Sequence, residues 1–238
     1  MPPENLYLKI SIIIPVLNEA ATIASVISTA QNAKNVEIIV ADGGSSDGTA
    51  DIAKSLGVRV IFTAPGRATQ MNAGAIAATG DILLFLHADT LLPPAYDSGA
   101  RRALAKPSAV GGAFELKIDA PQYSLRLVEI GVNCRSHFLQ MPYGDQAIFL
   151  YSATFDKIGG FPDLPLMEDF EFVRRLKTQG RIQIVPEPVL TSARRWQQLG
   201  VLKTTAINQI VIIAYFFGVS PDRLAFWYKR QKKNSSEN

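Results

Sequence analysis

The sequence of 238 residues contains a single cysteine, Cys134, which excludes a disulfide bond within the chain. It also lacks the Gly-x-Gly-x-x-Gly and Gly-x-x-x-x-Gly-Lys-Ser/Thr segments that mark dinucleotide-binding enzymes and P-loop enzymes. A large net charge is missing as well, because 24 lysines and arginines are nearly balanced by 21 aspartates and glutamates. This slight positive excess does not indicate a nucleic-acid partner.

Long apolar runs are missing too. The most apolar stretch, residues 206–218, is shorter than the ~20 residues that cross a bilayer, and Asn208 and Gln209 interrupt it. The first nine residues contain two prolines and a glutamate and have no basic start, so they do not resemble a signal peptide. We therefore expect a cytoplasmic protein, and the C-terminal segment leaves open a position at the inner face of a membrane.

Apolar runs of strand length alternate with helical patterns in the first part of the chain. The sequence predicts strands over residues 10–16, 36–41, 58–63 and 81–86, and helices over residues 20–30, 49–56 and 67–79. This alternation implies parallel strands joined by right-handed crossovers. We predict an α/β fold, a Rossmann-like and mostly parallel sheet flanked by helices.

The rest of the chain is less regular. It predicts helices over residues 94–105, 122–138, 152–158 and 167–178, and strands over residues 109–118, 146–151, 182–185 and 189–193. Residues 201–238 are predicted to form a C-terminal helical extension with a basic tail.

Polar residues follow three of the predicted strands at the point where each strand ends. Asn18-Glu19 follows the first strand, Asp42 ends the second, and His87-Ala88-Asp89 follows the fourth. Ligands of parallel sheets bind beyond the carboxyl ends of the strands, so we expect these clusters to converge on one crevice. A carboxylate at this edge, above all Asp89, can hold a divalent cation against a phosphate.

Four segments, in this order, resemble the family 2 glycosyltransferases, which have the GT-A nucleotide-sugar-binding fold. The segments are Ser11-Ile-Ile-Ile-Pro-Val-Leu-Asn-Glu19, Val40-Ala-Asp-Gly-Gly-Ser-Ser-Asp-Gly-Thr49, Gly66-Arg-Ala-Thr-Gln-Met-Asn-Ala-Gly74 and Gly80-Asp-Ile-Leu-Leu-Phe-Leu-His-Ala-Asp89. The resemblance implies a catalytic domain over residues 1–200, with a nucleotide-sugar half at about 8–92 and an acceptor half at about 93–200. The chain is similar to the small single-domain bacterial members of this family.

The resemblance implies donor-binding roles for several residues. Asp42 would meet the uracil or another base, and Arg67 would approach the diphosphate or the sugar. Asn72, with Gly74, would shape the helix beneath the donor. The remaining residues implied to line the donor pocket are Pro15, Asn18, Glu19, Ala88, Arg195 and Trp196.

The resemblance also implies the reaction, an inverting transfer of a sugar from a nucleoside diphosphate, with uridine as the expected base, to an unknown hydroxyl acceptor. Asp169 would be the general base, with Glu168 beside it. Asp89 would bind Mn²⁺ or Mg²⁺. The usual Asp-x-Asp pattern is replaced here by His87-Ala88-Asp89, and an imidazole suits manganese better than magnesium. His87 is therefore a second candidate metal ligand.

Several of these residues also have a purely structural interpretation. Glu168 and Asp169 favour the positive end of the helix that they open, and arginines such as Arg194 and Arg195 commonly remain solvated while their stems cover apolar surface. The Gly144-Asp145-Gln146 segment is equally consistent with a turn and with an acceptor contact. Two competing functions also remain: a nucleotide-sugar-binding protein without turnover, and a sugar-nucleotide pyrophosphorylase. The pyrophosphorylase would need a glycine-rich basic loop directly after the first strand, which this chain lacks.

The C-terminal segment has two interpretations. Its helix could pack on the catalytic domain or on a second subunit as a homodimer. Alternatively, it could lie on a membrane, with Phe216, Phe217, Phe226 and Trp227 toward lipid and residues 229–233 toward anionic head groups. A lipid-linked acceptor would make the second arrangement useful.

Overall fold

Four parallel strands form one half of the sheet in the computed structural model, which describes residues 7–233 without the side chains of Lys229, Lys232 and Lys233. They are β1 (Ile10–Val16), β2 (Val36–Asp42), β3 (Arg59–Phe62) and β4 (Ile82–Phe85). Nearly every residue of β1 and every residue of β4 is buried. Their uninterrupted apolar sequences follow from this burial, because helices cover both faces of a parallel sheet. The ends of the chain, residues 1–6 and 234–238, lie outside the described residues.

Three helices connect these strands, as the alternation of the sequence predicts. They are α1 (Ile23–Gln31), α2 (Thr49–Ser55) and α3 (Arg67–Ala77). Helix α1 begins three residues later than expected, because residues 18–22 form turns in which the carbonyl of Glu19 accepts from the N–H groups of Thr22 and Ile23.

The remaining elements complete a sheet of eight strands in the order β3-β2-β1-β4-β7-β6-β8-β5. Strand β6 pairs parallel with β8, whereas β7 and β5 run antiparallel to their neighbours. The elements are β5 (Thr90–Leu91), α4 (Tyr96–Leu104), β6 (Ala109–Asp119), α5 (Tyr123–Leu139), β7 (Phe149–Tyr151), α6 (Ser152–Ile158), α7 (Glu168–Lys177), β8 (Arg181–Ser192) and α8 (Arg194–Leu199).

Three of the predicted strands differ from the observed ones. The sequence predicts separate strands over residues 182–185 and 189–193, with Pro186 and Pro188 between them. They instead form the single strand β8, and the sheet absorbs the interruption as a shift of register opposite Phe114 and Leu116. The strand predicted over residues 146–151 is shorter than expected. Residues 144–146 form a 3₁₀ turn, so the observed strand, β7, begins only at Phe149.

The predicted C-terminal extension consists of two helices, α9 (Val201–Phe216) and α10 (Pro221–Lys233). Helix α9 packs against α5, α8 and α10. Across residues 7–233, we find no helix with both the length and the apolar character needed to span a membrane.

The core has one cluster on each face of the sheet. The larger cluster packs α1 and α4 against β1, β4 and β6. The smaller cluster packs α3, α6 and α7 on the other face and contains four phenylalanine rings, Phe85, Phe155, Phe161 and Phe172. Phe161 and Phe172 stack with ring centroids 3.9 Å apart. These rings fix α7, whose first turn carries Glu168 and Asp169, relative to β4.

Candidate active site

The carboxyl ends of β1, β2 and β4 lie side by side at one edge of the sheet. Val16 at the end of β1 is paired with Asp42, and Ile13 of β1 is paired with Phe85 at the end of β4. The polar clusters at residues 18–19, 42 and 87–89 therefore flank this edge, hereafter the carboxyl edge. Pro15 lies in β1 and Ala88 is buried, so these two residues offer backbone and carbon surface rather than polar side chains.

Asp42 is fully buried, and only one of its carboxylate oxygens has a partner. Oδ1 accepts hydrogen bonds from the backbone N–H groups of Gly44 at 2.7 Å and Ser45 at 2.6 Å. Oδ2 is also buried, and no group in the described part of the chain donates to it. Because an unpaired buried oxygen is costly, Oδ2 is suited to accept a hydrogen bond from a ligand. In the same loop, Asp47 accepts from the N–H of Thr49, the first residue of α2, at 3.0 Å.

Asn18 fastens the loop after β1 to the loop after β2. Its Oδ1 accepts from the N–H of Ser46 at 2.8 Å, and its own N–H donates to Ser45 Oγ at 2.9 Å. Its φ of 57° is left-handed, which an asparagine tolerates better than most residues. Asn18 thereby holds the two loops at a fixed separation.

Gln70, a residue without a predicted role, joins the ends of β1 and β2. It lies in α3 and is 5% exposed. Its Nε2 donates to the carbonyl oxygens of Val16 at 2.7 Å and Ala41 at 2.8 Å. A Cβ at Gly43 would lie only 3.1 Å from the Gln70 amide carbon. The sequence holds one signal for this role: Gln70 is an amide within the Gly66–Gly74 segment, one of the four segments that carry the family resemblance, and that segment forms a helix packed on the sheet.

Arg194 connects two carboxylates at the carboxyl edge. Its guanidinium binds Glu19 in a bidentate manner, at 2.9 and 3.1 Å, and lies 3.6 Å from Asp89 Oδ2. Burial raises the pKa of Asp89, while the Arg194 charge opposes this shift and Glu19 adds to it. A positive charge in contact with Asp89 is thus already part of the protein.

Arg195 and Trp196 make their contacts with the extension and the core. Arg195 donates to Asn208 Oδ1 at 2.7 Å, and its guanidinium lies 4.8 Å from the ring centroid of Tyr228. Trp196 packs against the larger core cluster. The member of the predicted Arg-Arg-Trp motif that reaches the carboxyl edge is therefore Arg194.

The metal ligands implied by the resemblance are one carboxylate and one imidazole. His87 Nε2 is buried and has no partner among the described residues. Burial, together with the nearby charge of Arg67, lowers the pKa of His87 to about 3, so the ring is neutral. In residues 7–233, no group of three or more His, Cys, Asp or Glu side chains is arranged to hold a metal. The Asp89 carboxylate suits a cation that takes its other ligands from phosphate and water, as Mg²⁺ commonly does, whereas the His87 ring faces Gly144 and Asp169.

The side chains at the start of α7 reach the same edge. Glu168 is buried and accepts from Arg67 at 3.2 Å, whereas about half of the Arg67 side chain is exposed. Tyr228 of α10 lies close enough to Arg67 and Glu168 for their charges to affect its pKa, which burial raises. The extension therefore borders this part of the site.

Asp169 lies against the 3₁₀ turn at Gly144. A Cβ at Gly144 would lie 2.7 Å from His87 Nε2 and closer still to Asp169 Oδ2, so only a glycine fits between the two side chains. Asp169 Oδ1 is buried, with no described partner. Burial and the charge of Glu168 raise the pKa of Asp169 to about 7, although Arg67 opposes them. A carboxylate with this pKa can take up a proton near neutral pH.

The Gly144–Gln146 segment forms a 3₁₀ turn, one of the two interpretations left open by the sequence, and the acceptor contact stays a prediction. Gln146 is fully buried; it donates to the Phe114 carbonyl at 2.9 Å and accepts from Ser136 Oγ at 2.8 Å. Asp145 Oδ1 is buried without a described partner, and burial raises the pKa of this carboxyl while Arg135 opposes the shift. Gln146 thus anchors the turn, and Asp145 carries its unpaired acceptor.

Asn72 uses both atoms of its amide within the protein. Its Nδ2 donates to the carbonyl of Phe161 at 2.8 Å, and its Oδ1 accepts from the N–H of Phe161 at 2.9 Å. This pair ties α3 to the turn before α7. Asn72 therefore positions the helix that carries Arg67, and its place beneath the donor stays a prediction.

Comparison with known proteins identifies the family. The chain matches Glycosyl transferase family 2 over residues 11–161. A curated relative, a PGL/p-HBAD biosynthesis glycosyltransferase of Mycobacterium tuberculosis, is 43% identical over 91 residues, which cover 34% of this chain and 36% of the relative. The match thus spans about a third of the length of that relative.

Solved structures show the same fold at low sequence identity. A mannosyltransferase from Pyrobaculum calidifontis, solved with GDP-Man and Mn²⁺, superposes with a TM-score of 0.64 at 17% identity, covering 96% of this chain and 74% of the other. TarS of S. aureus, solved with UDP-GlcNAc, superposes with a TM-score of 0.61 at 18% identity, covering 77% of this chain and 58% of the other. These likenesses confirm the predicted GT-A fold, and the chain belongs to glycosyl transferase family 2.

Proposed function

We propose that this protein transfers a sugar from a nucleoside-diphosphate sugar to a hydroxyl acceptor with inversion at the anomeric carbon. The observation that carries the proposal is the arrangement of charge at the carboxyl edge. Asp89 lies beside Arg194, while a second carboxyl, Asp169, lies at the start of α7 with a pKa of about 7. The first group suits a diphosphate and its cation, and the second suits a base.

The donor occupies the nucleotide-sugar half, residues 8–92, in this proposal. Oδ2 of Asp42 accepts a hydrogen bond from the base or the ribose, which supplies the partner that this buried oxygen lacks. Pro15, Asn18 and Glu19 form the adjoining wall, and Arg67 faces the diphosphate. A uridine donor is the first candidate; the neighbouring structures were solved with either a uridine or a guanosine donor.

The chemical step requires a base and stabilisation of the leaving group. Asp169 takes the proton of the acceptor hydroxyl while the hydroxyl oxygen bonds to the anomeric carbon. The bond between that carbon and the diphosphate oxygen breaks, and the nucleoside diphosphate leaves from the opposite face. Guanidinium groups at the edge stabilise the negative charge that develops on the diphosphate. A divalent cation, Mn²⁺ or Mg²⁺, held by Asp89 with His87 beside it, would add positive charge at the same oxygens.

The proposal is tested first by a thermal-shift screen of nucleoside diphosphates and sugar nucleotides, with and without Mn²⁺ or Mg²⁺, because a ligand of the native state raises its apparent stability. Release of nucleoside diphosphate from the best donor is then measured for wild type, Asp169→Asn and Asp89→Ala. We expect Asp169→Asn to lose roughly 10²–10⁴-fold in rate while it still binds the donor. We expect Asp89→Ala to lose metal-dependent donor binding, and His87→Ala only to weaken it.

Asp156→Asn is the matched control, because Asp156 is an exposed carboxylate on α6. Its rate and its donor affinity should equal those of wild type. Full turnover in Asp169→Asn and Asp89→Ala would disprove the mechanism. Tight donor binding without released nucleoside diphosphate, across a broad acceptor screen, would instead identify a binding protein.

A further inference from the structure

Helix α9 is apolar on two sides, but the described protein covers only one of them. Its inner side buries Thr204, Ile207 and Val211. Its outer side presents a stripe of apolar residues at helical spacing, and all of them are exposed: Leu202, Ala206, Ile210, Ile213, Phe216 and Phe217. An apolar stripe on a helix is normally covered by another apolar surface. The outer side of α9 therefore needs an apolar partner.

Helix α5, which packs against α9, exposes a similar stripe. Tyr123 is 90% exposed and Phe138 83% exposed, and Leu127 and Ile130 lie between them. Sixteen large hydrophobic side chains are exposed among the described residues, and eleven of them lie on α5, on α9 with the residue after it, and on α10. Scattered exposed apolar residues need no explanation, whereas this concentration marks an interaction site. These eleven residues are called the apolar surface below: Tyr123, Leu127, Ile130, Phe138, Leu139, Leu202, Ile210, Ile213, Phe216, Phe217 and Phe226.

Positive charge is concentrated in the same part of the chain. Residues 201–233 contain six of the 24 lysines and arginines and a single acidic residue, Asp222. Arg223 and Arg230 of α10 are exposed. A partner that is apolar in one layer and negatively charged in the next matches this composition, and an anionic lipid surface has both layers. A second copy of the chain would bring the same positive charge to the contact and be repelled.

We propose that the apolar surface lies on an anionic membrane, with its phenylalanine, leucine and isoleucine side chains among the acyl chains and with Arg223 and Arg230 of α10 at the head groups. The extension lies along the bilayer rather than across it. Of the residues that the sequence assigned to lipid, Phe216, Phe217 and Phe226 belong to this surface, whereas Trp227 is partly buried.

The apolar surface also adjoins the candidate base. The ring of Phe216 lies 5.5 Å from that of Phe170, the residue after Asp169. Tyr215, next to Phe216, donates to Glu171 Oε2 at 3.3 Å. Resting on the proposed function, this continuity identifies the acceptor class as a hydroxyl carried by a membrane-anchored molecule, which would meet Asp169 where the surface ends.

The test is co-sedimentation of the full chain with vesicles of phosphatidylglycerol and phosphatidylcholine, and with vesicles of phosphatidylcholine alone. We expect binding to the anionic vesicles and weak binding to the neutral ones. The double variants Phe217→Ser/Phe226→Ser and Arg223→Glu/Arg230→Glu should each bind roughly tenfold more weakly or worse, since one removes apolar contact and the other charge attraction. Ile76→Ser is the matched control, because Ile76 is 86% exposed on α3, outside the apolar surface; it should bind as wild type does.

Donor binding by calorimetry and the thermal midpoint are measured on the same variants, and both should remain at the wild-type values. This separates the proposal from the proposed function, because vesicle binding can fail while donor binding persists. Equal binding of wild type to both vesicle types, or no binding to either, would overturn the proposal. A dimer in sedimentation velocity that Phe217→Ser/Phe226→Ser dissociates would also overturn it, by assigning the apolar surface to self-association.

Discussion

The two ends of the same parallel strands carry polar clusters that are built in opposite ways. At the amino end, Ser11, Glu37 and Thr79 satisfy one another. Ser11 Oγ donates to Glu37 and accepts from the N–H of Gly80 at 2.8 Å, and the N–H of Thr79 donates to Glu37 at 2.6 Å. Lys9 adds an ion pair to Glu37 at 3.1 Å.

At the carboxyl edge, by contrast, several buried polar atoms lack partners within the described residues. They are Asp42 Oδ2, His87 Nε2, Asp145 Oδ1 and Asp169 Oδ1. Folded proteins pair nearly all such atoms, because burying one unpaired costs free energy. At the amino end of β1, β2 and β4, the polar groups are thus hydrogen-bonded to one another in a closed network. At the carboxyl edge, buried acceptors remain without a donor among the described residues. The first arrangement stabilises the fold, and the second is suited to a ligand.

Among the changes that compare the two ends, Gly144→Ala at the carboxyl edge has the largest expected effect. The added methyl group would overlap the Asp169 carboxylate and lie 2.7 Å from His87 Nε2. One of these side chains must move, and a displacement of this size at a reacting group costs about 100-fold in rate. We expect kcat/KM for nucleoside diphosphate release to fall by at least that factor, and the unfolding free energy to fall by about 1–3 kcal/mol because the buried site is overpacked.

Gly131→Ala is the matched control for this prediction. Gly131 lies in α5, and a Cβ there would meet no atom within 4 Å. Alanine favours a helix, so this variant should be as stable as wild type and as active in an assay without lipid. Unchanged turnover in Gly144→Ala would show that the space between Asp169 and His87 is not part of the reaction.

The intermediate effect is expected at the amino end, from Ser11→Ala. Ser11 is fully buried, and its removal leaves the N–H of Gly80 without its acceptor and Glu37 with one donor fewer. Such a loss costs roughly 1–3 kcal/mol of unfolding free energy. Chemical denaturation should show this loss, with the kcat of the folded enzyme unchanged. Ser55→Ala, at an exposed serine of α2, should lose almost nothing. If kcat fell in Ser11→Ala while the protein was fully folded, the amino end would also contribute to catalysis, and the proposed difference between the two ends would be wrong.

This contrast also separates what the sequence predicts from what it does not. The strands that end in Asp42 and His87-Ala88-Asp89 are predictable because each belongs to a local strand–helix unit, and parallel pairing then brings their ends to one edge. The GT-A fold follows from the same units, and the comparisons confirm it. The two-residue strand β5 is too short to leave a periodic pattern.

The contacts of the acceptor side depend on packing between distant segments. Gly144 lies between His87 and Asp169 because the 3₁₀ turn is held by Gln146, whose partners come from β6 and α5. No local pattern encodes this convergence. Likewise, the motif Arg194-Arg195-Trp196 does not indicate which arginine faces Asp89, because the turn into α8 decides it.

The smallest expected effect is a shift in the pH profile of Glu168→Gln. Asp169 must be deprotonated to accept a proton, and burial and Glu168 raise its pKa to about 7. Activity should therefore fall below about pH 7, tenfold per pH unit, as the base becomes protonated. Replacing Glu168 removes a like charge and releases Arg67 from its ion pair, and both changes favour the carboxylate.

The acidic limb of log kcat against pH should therefore move to lower pH in Glu168→Gln, by about one unit or less. Glu171→Gln is the matched control, because Glu171 lies on the same helix but is paired with Arg174 at 2.8 Å; its limb should stay in place. A shift to higher pH in Glu168→Gln, or equal shifts in both variants, would mean that the limb belongs to another group. A shift confined to Glu168→Gln would tie the unpaired carboxylate of the carboxyl edge to the proton transfer itself, which the closed network at the amino end could not perform.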